Sequence, residues 1–313
     1  MRIIYVDEAY EFIPAQGRQI AATIGFFDGV HKGHRFLIDQ LKEIAKAANQ
    51  LTAIITFGIH PRLVLDAYAG VELLNSFDEK LRLLSDTGID YCFVLDFTKS
   101  FSQLSAGDFI EQYLYSKIHV RSLLIGFDHH FGKGAIDDFS TYRLLGEQHG
   151  ISMTRAEALS AIELSSSAIR QYLKQGKVRE AQEMLSYNYI LEGLVIEGNK
   201  MGRKFGFPTA NISLLEKNKL VPGDGIYAVW VYIGEQKLRG MCYLGARPTL
   251  FDHGEARIEV NILDFEGDIY GVKLCIEFIA FVRGDIKFAK TEGLIQQLAK
   301  DELAVREIFT RLL

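Results

Sequence analysis

Short apolar runs alternate with longer amphipathic segments through the first 185 residues, and this alternation constrains the fold most. The runs ATIGFF, LTAIITF, YCFVLDF and SLLIGF have the length and composition of buried strands. Between the first two, HRFLIDQLKEIAKAAN carries apolar residues on one helical face. They are Leu37, Ile38, Leu41, Ile44, Ala45 and Ala48. The alternation predicts βαβ units, and therefore a parallel sheet with helices on both faces.

Ligands of such sheets bind beyond the carboxyl ends of the strands. Here those ends are followed by segments rich in glycine and histidine, namely GFFDGVHKGH, TFGIHP and GFDHHFGKG. Helix boundaries are also marked. Ser76 and Glu79 form a capping-box pattern, Ser105 is a candidate N-cap, and Gly88 stands where a helix should end.

The pattern changes near residue 186. GIYAVWVYI, QKLRGMCYLG, ARIEVNILDF and VKLCIEFIAFV are strand-like and closely spaced, which predicts an antiparallel barrel or sandwich. A helical stripe, beginning at Leu294, ends the sequence; Asp301 and Glu302 interrupt it and allow a break or a fresh helix start at Asp301. We therefore expect two domains, 1–185 and 186–313.

Composition narrows the class of protein. The 313 residues are 48% hydrophobic and 24% charged, and the net charge of −5 argues against a broad grip on nucleic acid. We find no signal peptide and no apolar run long enough to span a membrane. The cysteines, Cys92, Cys242 and Cys275, lie far apart in apolar runs and are expected to be reduced core residues of a cytoplasmic protein.

The string GFFDGVHKGH suits phosphate binding. A helix N-terminus offers unpaired N–H groups and partial positive charge, and preceding glycines let the backbone approach an anion. Imidazoles of His31 and His34 could donate hydrogen bonds to phosphate oxygens. Two other interpretations stay open on the residues alone, which are satisfied loop histidines and a metal site.

This string resembles the amino-terminal module of the prokaryotic bifunctional riboflavin kinase/FMN adenylyltransferase family, a Rossmann-like HxGH nucleotidyltransferase. The resemblance implies that His31 and His34 contact ATP phosphates and act in catalysis. It also implies a set of ATP-binding and loop-shaping residues, namely Gly25, Phe27, Asp28, Gly29, Gly33 and, in GFDHHFGKG, Asp128. The segment LSSSAIRQYLKQG resembles a second motif of the same family, which adds Ser165, Ser166, Ser167 and Arg170 as phosphate ligands.

A second cluster lies in EGNKMGRKFGFPTANI. It is not a Walker loop, because GxxxxGK[ST] is absent. It nevertheless forms a basic, glycine-rich flap suited to a triphosphate, with the residues Gly198, Lys200, Gly202, Arg203 and Lys204. Thr209 and Asn211 supply hard oxygen ligands suited to Mg²⁺. The string resembles the riboflavin kinase signature of the same family, which implies a carboxyl-terminal β-barrel.

EARIEVNILDFEGDIYG resembles a further segment of that family. The resemblance implies that Glu259 is the general base for the riboflavin 5′-hydroxyl, and that Arg283 and Phe288 bind flavin. Glu255 and Glu277 are expected to be exposed strand carboxylates, and Asp264 and Asp268 to serve turns. The chain departs from the family pattern at Asn261, where histidine is frequent, and at Tyr243, where asparagine is common.

The resemblance implies an enzyme that converts riboflavin to FMN and FMN to FAD with ATP and Mg²⁺. Its expected partners are these small molecules, with no nucleic acid or membrane, in a monomer or weak homo-oligomer. Two alternatives remain. One is a riboflavin kinase whose first domain is impaired, suggested by the unusual segments FDHHFG and TFGIHP; the other is a flavin sensor without turnover.

Overall fold

A computed structural model describes most of the chain. The described ranges are 1–6, 17–66, 70–127, 131–134, 138–159, 164–198, 202, 205–246, 256–288 and 290–312. Asp128, Lys200, Arg203, Lys204 and Glu255 lie outside them. The chain divides into two compact units, the first formed by Met1–Val71 and Asn75–Leu164, the second by Glu72–Leu74 and Ser165–Leu313. The predicted domain boundary at 185/186 stays a prediction.

The first unit alternates strands and helices, as the sequence predicts. Its elements are β1 (Arg2–Val6), β2 (Ile20–Ile24), α1 (Lys32–Ala47), β3 (Leu51–Phe57), α2 (Pro61–Leu65), α3 (Phe77–Ser85), β4 (Tyr91–Leu95), α4 (Ala106–Phe109), a π-helix (Ile110–Lys117), β5 (Val120–Ile125), α5 (Phe139–Gln148) and β6 (Ser152–Arg155).

Within the described residues, six strands form one sheet in the order β1-β4-β3-β2-β5-β6, and all of its pairings are parallel. From β2 the chain runs to β3 and β4 on one side and returns to place β5 on the other. The strand order therefore reverses beside β2, so the loop that follows β2 lies where doubly wound sheets bind ligands.

Successive side chains of each strand enter different cores, because strand side chains alternate between the faces of a sheet. Ile20, Ala22 and Ile24 of β2 pack in one core, with α4 and the π-helix. Ala21 packs in the other, where Ile38 and Leu41 of α1 belong. The predicted face of α1 is therefore its buried face, apart from Ala48, which caps the helix and is exposed.

The capping patterns are also confirmed. Ser76 and Glu79 form both hydrogen bonds of a capping box at the start of α3. Ser105 caps α4 in the same way with Asp108. Gly88 follows the end of α3 with a φ of 76°, in the left-handed region that glycine adopts without strain. The widening of α4 into the π-helix has no counterpart in the sequence prediction.

The second unit consists of two helices, an antiparallel barrel and a terminal helix. Its elements are α6 (Ser166–Lys174), α7 (Val178–Leu185), β7 (Ile190–Ile196), β8 (Ala210–Leu214), β9 (Gly225–Ile233), β10 (Gln236–Ala246), β11 (Ala256–Ile262), β12 (Lys273–Arg283) and α8 (Thr291–Thr310). Among described residues the strands close into a barrel in the order β10-β11-β8-β7-β12-β9. The sequence left a barrel and a sandwich open, and the closed barrel agrees with the family resemblance.

Helix α8 is continuous through Asp301, so the break that the sequence allows at this position does not occur. Asp301 is 2% exposed, and its carboxylate receives two hydrogen bonds from the Arg283 guanidinium, at 2.9 and 2.7 Å. Gln297 donates a third at 2.8 Å. The acid that interrupts the apolar stripe is therefore a buried ion-pair partner of β12, which a helical pattern alone does not distinguish from a helix end.

The described part of the chain contains no helix long and apolar enough to cross a membrane. None of the three cysteines forms a disulfide; Cys92 and Cys242 are buried, while Cys275 is partly exposed. Burial raises the pKa of the Cys92 thiol to about 12. Cys92 and Cys242 are core residues, as the sequence predicts, whereas the prediction of a core position is wrong for Cys275.

Candidate active sites

The loop after β2 has a strained backbone that burial holds in place. Phe27, Gly29 and Val30 have φ values of 58°, 85° and 36°. Positive φ costs energy for residues other than glycine, and such conformations cluster at functional sites. Here Phe27 and Val30 are 2% and 0% exposed, so their side chains anchor the loop in the core beside α1.

His31 and His34 meet at the start of α1. His31 is the N-cap residue, its Nδ1 accepts a hydrogen bond from the backbone N–H of His34 at 3.4 Å, and the two rings stack with centroids 3.7 Å apart. A Cβ at Gly33 would lie 3.2 Å from the His31 ring. Glycine at this position therefore leaves room for the imidazole to fold over the helix N-terminus.

The environment of His34 favours its neutral form. Burial, then the charges of His31 and Lys80, hold the pKa of His34 well below 6.5. Its Nδ1 is buried and has no hydrogen-bond partner among the described residues. A neutral imidazole carries one N–H donor and one acceptor. His34 can therefore donate a hydrogen bond at neutral pH without carrying a charge.

Asp28 and Gly25 fix the rest of this loop. Asp28 is 6% exposed, and its Oδ1 accepts the backbone N–H of Asn75 at 3.3 Å. Gly25 donates its N–H to the carbonyl of Ile55 at 3.0 Å. The structure thus gathers Gly25, Phe27, Asp28, Gly29, His31, Gly33 and His34 in one loop and helix start at the carboxyl edge of the sheet.

A cavity of about 590 Å³ opens at the same edge. Five phenylalanines line it, Phe57, Phe97, Phe101, Phe109 and Phe131. Lys133 and the glycines on either side of it lie at the cavity as well. The sequence analysis marked the segments TFGIHP and GFDHHFGKG, which contain Phe57, Phe131 and Lys133, but it did not select Phe97, Phe101 and Phe109, although Phe97 follows β4. That position after a strand is the signal that was available.

Helix α6 carries the serine motif and belongs to the second unit. Ser165 caps it, accepting the N–H of Ala168 at 3.2 Å, which is the ordinary structural role of such a serine. Ser166 and Ser167 form the first turn. Arg170 Nε donates to the Glu72 carbonyl at 2.7 Å. The phosphate-binding role of the four motif residues stays a prediction.

A second cavity, of about 270 Å³, lies in the barrel unit. It brings together residues from distant parts of the sequence. The predicted residues that line it are Gly202, Thr209, Asn211, Glu259, Arg283 and Phe288. Strand register explains the arrangement, because Glu259 of β11 pairs with Asn211 of β8 on one side and with Tyr243 of β10 on the other. Paired residues of antiparallel strands point to the same face.

Glu259 has an arginine partner that sequence reasoning missed. Arg257 contacts Oε1 of Glu259 through Nε at 2.7 Å and through Nη2 at 2.5 Å. The two residues are separated by one position on β11, so their side chains lie on the same face of the strand. Both contacts are made to Oε1, and among the described residues no polar group contacts Oε2.

Gly198 and Gly202, the two flap residues that the structure describes, pack against the motif PTAN. A Cβ at Gly198 would overlap the carboxamide of Asn211. A Cβ at Gly202 would overlap the Phe207 carbonyl and stand 3.1 Å from Thr209 Oγ1. These two glycines therefore let the flap approach β8 and the two predicted oxygen ligands closely.

Asn261, noted in the sequence as a departure from the family pattern, has a structural role that the sequence did not predict. It is 6% exposed, lines the barrel cavity and donates from Nδ2 to the Pro208 carbonyl at 2.7 Å. Proline has no N–H of its own to anchor the strand. Asn261 thus fixes the start of PTAN and, through it, the position of Thr209.

Four other charged residues singled out in the sequence of the barrel unit, Asp264, Asp268, Glu277 and Arg283, have partners within the fold. Asp268 accepts the N–H of Tyr270 at 3.2 Å, so it serves a turn as predicted. Asp264, with a φ of 58°, holds Arg306 of α8 and Arg239. Glu277 accepts hydrogen bonds from Asn188 and Tyr232 and is partly buried, not the exposed carboxylate expected. The Arg283 guanidinium is committed to Asp301, and its contact with flavin stays a prediction.

A small groove of about 80 Å³ adjoins this region. Pro208, Thr209, Asp268 and Tyr270 are among its lining residues. Thr209 also lines the larger barrel cavity. The threonine therefore lies between two separate cavities of the same unit.

Comparison with known proteins shows the family to which the chain belongs. The family model named FAD synthetase matches residues 13–168, and the one named riboflavin kinase matches residues 185–309. A bifunctional riboflavin kinase/FMN adenylyltransferase of Listeria monocytogenes is 38% identical over 294 residues, covering 93% of this chain and 92% of the relative. The chain belongs to the bifunctional riboflavin kinase/FMN adenylyltransferase family.

Other relatives agree over the same length. The bifunctional riboflavin kinase/FMN adenylyltransferase of Escherichia coli is 34% identical, with 92% of each chain covered. A solved structure described as a macrolide-efflux protein of Streptococcus pneumoniae has a TM-score of 0.84 and 31% sequence identity, covering 98% of this chain and 99% of its own. The fold of this chain is therefore shared with a solved structure across nearly its whole length.

Proposed function

We propose that the chain makes both flavin cofactors, phosphorylating riboflavin with ATP to FMN in the barrel unit and joining FMN to the AMP portion of ATP in the α/β unit. The observation that carries this proposal is the barrel cavity, in which strand register sets Glu259 beside Asn211, with Thr209 on the wall shared with a second cavity. The paired histidines at the switch point of the parallel sheet support the second activity.

The kinase step needs a proton acceptor and a phosphate-binding wall. Glu259 takes the proton of the riboflavin 5′-hydroxyl as that oxygen attacks the γ-phosphorus of ATP, and ADP leaves. Arg257 orients the carboxylate through Oε1, which leaves Oε2 for the hydroxyl. Asn261 acts through the Pro208 carbonyl to keep Thr209 in place.

The oxygen atoms of Thr209 and Asn211 fit Mg²⁺, because this cation prefers hard oxygen ligands and shares its shell with ATP phosphates. The close packing of Gly198 and Gly202 against both residues fits a phosphate chain lying along the flap. When bound with ATP, Mg²⁺ neutralises charge on the β- and γ-phosphates. Thr209 and Asn211 would hold it, and the basic residues of the flap, Lys200, Arg203 and Lys204, would bind the phosphates.

The two barrel cavities suit two different substrates. The larger one is lined by Phe205, Phe207, Tyr243 and Phe288, aromatic residues that can pack on a flavin ring. The smaller groove has Tyr270 and Phe265 and fits the ATP base. Because Thr209 lines both, the γ-phosphate and the riboflavin hydroxyl would meet there.

Adenylyl transfer uses the sheet edge of the first unit. The FMN phosphate attacks the α-phosphorus of ATP, the bond to the β-phosphate oxygen breaks, and pyrophosphate leaves. The N-terminus of α1 with His31 and His34 stabilises the negative charge on the departing group. The phenylalanine-lined cavity at the same edge holds the flavin ring. Ser165, Ser166, Ser167 and Arg170 are proposed as further phosphate ligands, with Asp128 near the nucleotide.

We also propose a cytoplasmic location, which three cysteines without a disulfide support, since thiols stay reduced there. The proposed partners are riboflavin, FMN, FAD and ATP. We expect no nucleic-acid partner, and a monomer or weak homo-oligomer.

One assay tests the proposed function. Purified chain is incubated with riboflavin, ATP and Mg²⁺, and riboflavin, FMN and FAD are separated chromatographically over time. We expect FMN to rise first and then to decline as FAD accumulates. FMN without FAD would identify a single-activity kinase, and unchanged riboflavin would leave a flavin-binding protein without turnover; either result contradicts the proposal.

A further inference from the structure

Lys80 of α3 is a buried cation at the carboxyl edge of the parallel sheet. It is 2% exposed, and its Nζ donates to the carbonyls of Phe57 at 2.9 Å and Phe26 at 3.2 Å, and to the Thr56 hydroxyl at 3.4 Å. Within the described part of the chain, no carboxylate lies within 4 Å of this ammonium. Burying a cation without a paired anion costs free energy of folding, and the hydrogen bonds to these three oxygens offset that cost.

Those partners join the two segments that carry the nucleotidyltransferase site. The last residue pair between strands β2 and β3 is Ile24 with Ile55, and the register of the two strands ends there. Phe26 lies in the loop that leads to His31, while Phe57 ends β3 just before His60. The ammonium accordingly links both segments where the sheet no longer does.

Thr56 and Phe26 strengthen the same link. The Thr56 hydroxyl donates to the Phe26 carbonyl at 3.2 Å, so Phe26 O receives hydrogen bonds from both Lys80 and Thr56. The Phe26 ring lies over Lys80 Nζ, 4.0 Å from centroid to nitrogen, and its other neighbour is the His60 ring at 4.5 Å. His60 in turn caps α2, whose Pro61 and Leu65 line the phenylalanine cavity.

We propose that Lys80 is a positioning residue for adenylyl transfer, which holds the histidine loop and the rim of the phenylalanine cavity at a fixed separation. It acts through the Phe26 and Phe57 carbonyls and touches no substrate. This inference rests on the proposed adenylyltransferase activity. The charge of Lys80 also contributes to the low pKa of His34, which agrees with a shared function.

The test compares Lys80→Met with the parent chain, measuring FAD formation from supplied FMN and FMN formation from riboflavin in the same preparation. Misplacing a reacting group by about 1 Å can cost about 10²-fold in rate. We expect kcat for FAD formation to fall by about that factor with little change in KM, while FMN formation stays at the parent level. An inactive parent would reject the proposed function itself, whereas the ratio of variant to parent tests Lys80.

Leu84→Ala is the matched control, because Leu84 is a fully buried residue of the same helix that packs in the core and has no polar side-chain group to bond the Phe26 and Phe57 carbonyls. It lowers the stability of the first unit without breaking the link. Loss of kcat in Lys80→Met beyond that in folded Leu84→Ala supports positioning. Equal losses in the two variants, or a Lys80→Met chain with parental kcat, would overturn it.

Thr56→Val tests the proposed positioning role if Lys80→Met does not fold. Valine keeps the volume of threonine and removes only the hydroxyl shared by Lys80 and Phe26. Because both hydrogen bonds of the hydroxyl are lost, to the Phe26 carbonyl and from Lys80 Nζ, kcat for FAD formation should fall by about threefold or more at unchanged KM. An unchanged kcat in this variant would reject the proposal.

Discussion

At the scale of single residues, chemistry in this chain depends on pairs that strand register creates. Glu259 was selected from the sequence alone, but Asn211 and Asn261 acquire their roles only when β8 and β11 pair, whereas Arg257 reaches Glu259 along β11 itself. Residue type and motif predict which groups take part. They do not predict that arginine contacts one oxygen of the Glu259 carboxylate, while no polar group of the described residues contacts the other.

Replacing Glu259 with glutamine should abolish the proton acceptor of the kinase and leave the other activity intact. Loss of a positioned base costs about 10²–10⁴ in rate, so FMN formation should fall by that factor. FAD formation from supplied FMN should be unchanged. Glu277→Gln is the control, since that carboxylate bonds to Asn188 and Tyr232 and is absent from the barrel cavity. A Glu259→Gln chain with parental FMN formation would assign the base elsewhere.

His34 makes a prediction about pH. Its pKa lies well below 6.5, so its ring signals in histidine NMR should stay those of neutral imidazole between about pH 7.5 and about pH 6. Below pH 6.5 the unfolded chain takes up a proton that the folded chain does not, and stability should fall by up to about 1.4 kcal/mol per pH unit. His34→Gln should remove this slope, with His149→Gln as control. A ring that titrates near pH 6.5 would contradict the assignment.

At the scale of elements, sequence periodicity was sufficient where a helix or strand has one buried face. The stripe of α1, the capping box of α3 and the N-cap Ser105 of α4 were predicted from local spacing because their causes are local. It failed for α8, in which Asp301 is buried through an ion pair with Arg283, a residue 18 positions away in sequence. Periodicity also did not predict the π-helix after α4, whose residues Ile110 and Leu114 pack in the core with distant parts of the chain.

The Asp301 pair provides a prediction for α8. Asp301→Ala leaves Arg283 largely buried without its partner, and losing one member of such a pair costs about 3–5 kcal/mol. Glu302→Ala is the control, because its pair with Arg306 is about one-third exposed and should be worth less than about 1 kcal/mol. Urea unfolding can be followed by Trp230, the sole tryptophan, whose ring lies 4.4 Å from Phe309 of α8. Equal, small losses would show that the pair does not hold the helix.

At the scale of the whole chain, a change of pattern near residue 186 predicted two architectures correctly. Parallel and antiparallel sheets differ in composition and in the spacing of their strands, and that difference is visible in sequence. The sequence did not predict that helices α6 and α7 group with the second unit. They follow the α/β pattern along the chain, yet α6 and α7 cluster with the barrel unit, because such grouping depends on distant contacts. For the same reason, the sequence did not predict that the phenylalanines line one cavity, since the lining residues come from several separate elements and loops.

The position of Thr209 between two cavities has a consequence for inhibition. Thr209 lines both the compartment assigned to the flavin and that assigned to the nucleotide, so we expect that a single molecule can occupy both. A flavin tethered to adenosine by a phosphate chain would gain the contacts of two ligands while losing overall translational freedom only once. Such a bisubstrate compound should compete with riboflavin and with ATP alike, and its optimum tether length would measure the distance that the phosphoryl group travels.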